Sequence, residues 1–335
     1  MCGRFALGFS HTQIQQLEDY PDLQSQVSNW VERDQFVPRY NIAPRTYSPV
    51  IHRSLGSNTG SSESARPLVL RTMKWGVVPH WSKTEDNNLS TINARAENLT
   101  EAGSSGMWGS IKGKKRCAVL AQGYYEWLKK GKERVPYFTR HRDGKLALFA
   151  GLYDIAHVEG RSEPLWTFTI VTTSAPKAFQ WLHDRQPVIL SESADINLWL
   201  DTSTPGWSNA LNLLLGSYKD ASERLECYAV PKEVGRVGTE SPTFVEPVSK
   251  RKDGIEAMFA KQGQRATSSS PAKRKRSTSP GEKPTGTSDY QSENPETHTV
   301  TNEVAASPLG SQSEGPKEAK SPKVDVKHAT PLNTG

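Results

Sequence analysis

Short apolar runs bounded by turn-forming residues set the pattern of the first 260 positions. Cys117-Ala118-Val119-Leu120-Ala121, Leu146-Ala147-Leu148-Phe149-Ala150 and Trp166-Thr167-Phe168-Thr169-Ile170-Val171-Thr172 are the clearest of them. Their length and their β-branched and aromatic content predict strands. Helices are fewer. His11 to Leu17 opens one, with Thr12 as its N-cap, and Ser174 caps another running through Phe179 to Leu182. Ser191 to Leu200 and residues 206–215 predict two more. Many short strands with interspersed helices predict an α+β fold, its β core closed or sandwich-like with helices on the outside. Residues 54–66, rich in Ser and Gly, read as a surface loop. Residues 100–115 read as an exposed stretch, with Gly103, Gly106, Gly109 and Gly113, and then Lys112, Lys114, Lys115 and Arg116.

The pattern ends near residue 260. All nine Trp and all nine Phe lie before residue 261, and Tyr290 is the one aromatic residue after it. A segment so rich in Ser, Thr, Pro, Gly, Lys and Glu buries too little apolar surface to offset its ordering entropy, so 261–335 is predicted to be a disordered basic tail. Residues 1–260 suffice for one domain with a sizeable core. The net charge is +6. The tail, with 11 Lys+Arg against 8 Asp+Glu, carries half of it. The folded part is therefore only weakly basic, and nucleic acid would have to be held by a local patch. Three cysteines, Cys2, Cys117 and Cys227, make neither a disulfide framework nor a zinc signature, and no metal or cofactor is expected. A reducing compartment fits them. The chain shows no secretory signal and no apolar run long enough to span a membrane.

Four segments set polar residues in apolar or aromatic surroundings. They are Arg39-Tyr40-Asn41-Ile42-Ala43-Pro44; Lys74-Trp75-Gly76 through Pro79-His80-Trp81, followed by Asn93-Ala94-Arg95-Ala96-Glu97; Gly123-Tyr124-Tyr125-Glu126-Trp127; and Leu182-His183-Asp184-Arg185-Gln186-Pro187. A carboxyl between Tyr125 and Trp127 would have its pKa raised by desolvation, which suits acid–base work near neutrality. Strand alternation alone favours the plainer alternative, a Glu126 facing solvent. A lone histidine such as His183 is more often structural than catalytic. Asn93 and Arg95 are two apart and share one strand face, so they can bind an oxyanion or satisfy loop carbonyls. Trp75 and Trp81 can stack on bases, although core packing is favoured for Trp75.

The chain opens Met1-Cys2-Gly3-Arg4-Phe5. Trimming of Met1 would leave Cys2 with an α-amine and a thiol on neighbouring carbons. An unperturbed α-amine has a pKa of about 7.7–8.0 and is partly neutral at physiological pH. Nearby cationic groups are expected to lower the thiol. Such an aminothiol condenses with an aldehyde to an imine and closes to a thiazolidine ring. It can also attack an acyl carbon.

Taken together and in order, these motifs resemble the SRAP family, the SOS-response-associated peptidase or abasic-site processing proteins, over about residues 2–250. The resemblance rests on Cys2-Gly3-Arg4-Phe5, Asn41-Ile42-Ala43-Pro44, Trp75-Gly76 through Pro79, Asn93-Ala94-Arg95-Ala96-Glu97, Gly123-Tyr124-Tyr125-Glu126-Trp127 and His183-Asp184-Arg185. It implies a single domain with a mainly antiparallel, β-barrel-like core flanked by helices. It also implies a protein that binds single-stranded DNA and links itself covalently to abasic sites through a thiazolidine between Cys2 and C1′ of the ring-opened deoxyribose. On the family's motifs, Glu126 falls as proton shuttle, His183 as the group assisting sugar opening and imine formation, and Asn93 as the residue orienting the sugar. Arg4, Arg95 and Arg185 would hold phosphates, Pro44 would wedge against a base, and Trp81 would stack. The chemistry implied is lyase-type Schiff-base chemistry, with (auto)peptidase removal of Met1. Replication-fork factors are further partners the resemblance admits.

The chain departs from the family pattern at Ser82, where many relatives carry an aromatic, and at Gln186, where a Met is frequent. The tail holds no sliding-clamp motif. Rival readings are an N-terminal-nucleophile hydrolase, as glutaminase or peptidase, and a non-catalytic single-strand binding module. Lys273-Arg274-Lys275-Arg276, flanked by Ser270-Pro271 and Ser279-Pro280, reads as a nuclear-import signal or a non-specific nucleic-acid contact, the plainer alternative being a solvated tail with no reader; the protein is expected in the nucleus.

Overall fold

The computed structural model describes residues 2–55, 66–85, 91–100, 106–203 and 205–250. The strands, in chain order, are β1 (Phe5–Leu7), β2 (Val27–Val31), β3 (Arg39–Ile42), β4 (Tyr47–Arg53), β5 (Leu68–Trp75), β6 (Asn93–Arg95) and β7 (Arg116–Ala121). They continue as β8 (Gly123–Lys130), β9 (Glu133–His141), β10 (Ala147–Ala156), β11 (Leu165–Ser174), β12 (Arg185–Pro187), β13 (Ile189–Leu190) and β14 (Leu225–Ala229). They form two sheets. One runs β14-β9-β8-β1-β3; the other runs β12-β11-β10-β7-β4-β5-β2, with β13 on β10 and β6 on β11.

A parallel pairing of β11 with β5, Thr167 opposite Lys74 and Phe168 opposite Trp75, closes β5, β4, β7, β10 and β11 into a barrel. The remaining pairings in that ring are antiparallel. This is the α+β, barrel-like core that the sequence predicts. Closure explains why β7 and β10 read as unbroken apolar runs: one side fills the barrel and the other is covered, so nearly every residue is buried. Trp75 is fully buried between Phe5, at 5.1 Å between ring centroids, and Phe168, stacked at 6.3 Å. It belongs to the core, as its apolar context suggests.

Helix boundaries differ from expectation where polar caps and strand register decide. The first helix is His11–Gln16, capped by Ser10 and not Thr12. Ser10 and Gln13 form a reciprocal capping box, which satisfies two backbone N–H groups at once. Ser174 caps nothing: it is the last residue of β11, paired with Arg185, and only a single 3₁₀ turn follows at Lys177–Phe179. The helices at Ser193–Leu200 and Asn209–Leu214 lie where the periodicity predicts. Of the 100–115 stretch, residues 101–105 lie outside the described residues, and 106–115 are less exposed than their composition suggests. Met107–Ile111 is helical with Ile111 buried, and Arg116 is buried, donating to the carbonyls of Trp199, Lys112 and Gly113.

β8 enters the site at Gly123, where the backbone passes so close to β9 that a Cβ would lie 2.4 Å from the Thr139 carbonyl oxygen and 2.6 Å from Phe138 Cζ. Only glycine fits that approach. Beyond β14, residues up to 250 lie against the five-stranded sheet. Asn41 Nδ2 donates to the carbonyls of Arg236 and Thr239, and the Tyr125 hydroxyl to those of Tyr40 and Phe244. The tail reading for 261–335, and most of the loop reading for 54–66, fall outside the described residues.

Candidate functional site

β1 carries the N-terminal segment into the middle of the five-stranded sheet, between β8 and β3. Phe5 pairs with Tyr124, and the Tyr125 N–H donates to the Arg4 carbonyl. This register sets Cys2 against the stretch that contains Glu126. In the untrimmed chain the Cys2 side chain is fully buried, its Sγ 3.9 Å from the Arg4 carbonyl oxygen. Burial pushes the thiol pKa up, and the nearby Glu126 charge pushes it further, against the opposing pull of the positive amino terminus. The expectation that cationic groups lower the thiol is therefore overturned: loss of solvation outweighs them.

Glu126 is 5% exposed, not turned to solvent as plain alternation suggests. It faces Tyr137 across the β8–β9 ladder. Burial raises its carboxyl to about 7, with the positive amino terminus acting the other way. His183 closes the other side. Its Nε2 lies 3.9 Å from Glu126 Oε2. Its Nδ1 lies 3.0 Å from the Arg185 backbone nitrogen and 2.8 Å from Asp184 Oδ1. Burial, followed by the amino-terminal charge, holds the His183 pKa below its ordinary value. Tyr124, Ala175, Phe179, Leu182 and Arg185 line the same narrow cleft.

Asn93 reaches this neighbourhood through β11, which pairs with β6 at one register and β12 at another; Thr172 opposes both Arg95 and Pro187. Asn93 Nδ2 donates to the Ile92 carbonyl, while its buried Oδ1 has no hydrogen-bond partner among the described residues. An acceptor buried without a donor costs about 1–3 kcal/mol.

The three arginines differ. Arg4 is 8% exposed, donates to Asn41 Oδ1 and the Val234 carbonyl, and packs over Trp127. Arg185 makes a two-point ion pair with Glu97 and donates to the Thr172 carbonyl. Arg95 alone of the three is exposed. Pro44 is half-buried at the end of β3, and Trp81 is 54% exposed. Neither Pro44 nor Trp81 lines the Glu126–His183 cleft.

Two features escaped sequence reasoning. The Asp154 carboxylate, fully buried, accepts from Lys115 Nζ, from the His80 backbone and, at 2.9 Å, meets His80 Nδ1; His80 stands edge-on to Trp81 at 4.7 Å. A lone charge inside the apolar run Gly151–Ala156 was the signal. The second is Trp181, 49% exposed and edge-on to Tyr137 at 5.0 Å. No group of three or more His, Cys, Asp or Glu among the described residues is arranged to hold a metal ion.

The chain is similar to known proteins over most of the described region. The family model "SOS response associated peptidase (SRAP)" matches residues 1–237. The chain belongs to the SRAP family. Among SRAP relatives, the "Abasic site processing protein YMR114C" of Saccharomyces cerevisiae is 34% identical over 276 residues, 75% of this chain and 69% of its own. The "Abasic site processing protein HMCES" of Gallus gallus is 29% identical, covering 74% of this chain and 78% of its own. The "Abasic site processing protein YoqW" of Bacillus subtilis is 31% identical, over 73% of this chain and 99% of its own. A crystal structure of a protein from Bacteroides thetaiotaomicron shares the fold, with a TM-score of 0.59 at 21% identity, over 74% of this chain and all of that one.

Proposed function

We propose that this protein recognises abasic sites in single-stranded DNA and forms a covalent crosslink with them through Cys2 once Met1 is removed. The observation that carries the reading is the meeting of Cys2, Glu126 and His183, with the Glu126 carboxyl at about 7 beside a buried thiol. A carboxyl poised near neutrality both gives and takes protons in the working pH range. The names of the SRAP relatives point to the same substrate.

The steps balance as follows. The neutral Cys2 amine attacks the aldehyde carbon C1′ of the opened sugar, giving a carbinolamine. With His183 beside it, the protonated Glu126 supplies a proton to the departing hydroxyl, one water leaves, and the nitrogen keeps its remaining hydrogen as a protonated imine. The Glu126 carboxylate so formed takes the proton from Sγ as sulfur bonds to C1′, and the C=N electron pair returns to nitrogen as the five-membered ring closes. One water is lost overall. Asn93 Oδ1 accepts from a hydroxyl of the sugar. Arg95 meets a phosphate at the surface, while Arg4 and Arg185 hold the elements from inside, and Trp81 and Pro44 meet bases beside the lesion.

The test is intact mass before and after incubation with abasic single-stranded DNA. The expected result is a species lacking Met1 that gains the oligonucleotide's mass less one water and survives heat and denaturant. A protein that binds without gaining mass would be a non-catalytic module, and the reading would fall.

We further propose that residues 1–260 are the reactive domain and that the segment after it directs the protein to the nucleus through Lys273-Arg274-Lys275-Arg276. Phosphate at Ser270 or Ser279 would add about −1.5 to −2 charge each and oppose import. Truncation after Gln262 is expected to leave crosslinking intact in vitro and to lower nuclear accumulation of a fluorescent fusion. Unchanged accumulation would remove the import role.

A further inference from the structure

The cleft does not end at Glu126. β8 and β9 continue beyond it as a hairpin, with Leu128 opposite Val135, Lys129 opposite Arg134 and Lys130 opposite Glu133. From Glu126 to Lys130 the strand advances about 13 Å. Residues two apart share a face, so Glu126, Leu128 and Lys130 look the same way, as do Tyr137 and Val135 across from them. Lys129, Lys130, Lys132 and Arg134 are exposed, and none has an ion-pair partner among the described residues. Lys129 is close enough to depress the His183 pKa. Of the acidic neighbours, Glu133 pairs with Lys232 and is acted on more weakly by Lys130 opposite it, and Asp184 Oδ1 lies 2.8 Å from His183 Nδ1.

At the root of this basic hairpin stands Trp181. It rests edge-on against Tyr137, the residue directly opposite Glu126, and comes two residues before His183. Half of its surface is open although its neighbours Phe179 and Leu182 turn into the cleft. An indole in edge-on contact with Tyr137 and half open to solvent, beside a group of exposed cations, matches what a single strand needs: an aromatic surface for a base and charge for phosphates.

We propose that Trp181 and the β8–β9 hairpin form a second nucleic-acid surface, which takes the DNA strand as it leaves the reactive cleft. The base next to the lesion stacks on Trp181, and Lys130 and Lys132 neutralise the phosphates that follow. The inference rests on the abasic-DNA reading for its polarity about Glu126, but its binding surface can be tested without the reaction.

The experiment is fluorescence anisotropy with an intact, fluorescein-labelled single strand of about 12 nucleotides, titrated at several salt concentrations. Trp181→Ala is expected to weaken binding about tenfold, the worth of one stacked base, and Trp181→Phe to recover most of it. The double change Lys130→Gln with Lys132→Gln is expected to flatten the dependence of log K on log salt by about 1.4, two single-strand phosphate contacts. Crosslinking to abasic DNA is measured on the same samples. Binding that depends on Trp181 in a protein that forms no adduct would leave this surface standing and sink the reaction. Wild-type affinity and salt slope in the variants, or no binding of the intact strand at all, would overturn the surface even if the adduct forms.

Discussion

Cys2→Ser protein is expected to leave no heat-stable adduct with abasic DNA. Serine keeps the α-amine, so condensation with C1′ still yields an imine, but the imine hydrolyses when the protein is denatured. Ring closure needs sulfur. The thiol of Cys2 is buried and its pKa is raised, so thiolate is scarce and sulfur must be activated at the moment of attack. Glu126, close enough to push that thiol up electrostatically, is the base within reach. A serine hydroxyl is a weaker nucleophile in the same place and a poorer partner for a carboxyl of about 7. The measurement is a denaturing gel after incubation with a uracil-DNA-glycosylase-treated oligonucleotide, with and without borohydride. Borohydride should trap the serine variant's imine and thereby report that the amine is present and the fold intact. Equal yields of heat-stable adduct from Cys2→Ser would end the thiazolidine assignment.

The barrel was legible because its strands are buried on both sides and so appear as continuous apolar runs; β7, β10 and β11 stand where those runs are. The motif residues could be named from order alone, but their surroundings could not. Alternation turns Glu126 outward, yet Tyr137 and His183, eleven and 57 positions away, enclose it. Charge is visible in a sequence and its partner is not. Arg4, Arg116 and Arg185 look alike as surface cations, and each is spent inside on Asn41, the Trp199 carbonyl or Glu97. Ser174 fits a cap by composition, but strand pairing with Arg185 claims it, since a ladder of hydrogen bonds outweighs one cap. Trp181 and Asp154 gave weak signals because each acquires meaning only from a neighbour brought by another strand.

Glu126→Gln is expected to slow crosslinking about 10²–10⁴-fold and to remove one ionisation from its pH profile. The amide keeps size and hydrogen-bonding reach but neither takes the Sγ proton nor gives one to the leaving hydroxyl. In wild type the pH profile should show two ionisations, that of Glu126 near 7, which acts as acid in the dehydration and as base in the ring closure, and above it that of an α-amine, about 7.7–8.0 when unperturbed. The variant should keep only the upper one. Stability supplies a second readout with a defined sign. The folded-state pKa of Glu126 lies above its ordinary value of 4.5 because burial disfavours the charge. The folded state therefore holds this proton more tightly than the unfolded chain. The group's contribution to stability is complete below about pH 4.5 and is lost as pH rises through about 7, a difference of about 3 kcal/mol. Wild-type Tm should fall across that window, and Glu126→Gln, neutral throughout, should fall less and end above wild type at pH 8 and beyond. A structural glutamate would show the Tm difference without the kinetic one. An unchanged rate and an unchanged lower ionisation would take Glu126 out of the reaction.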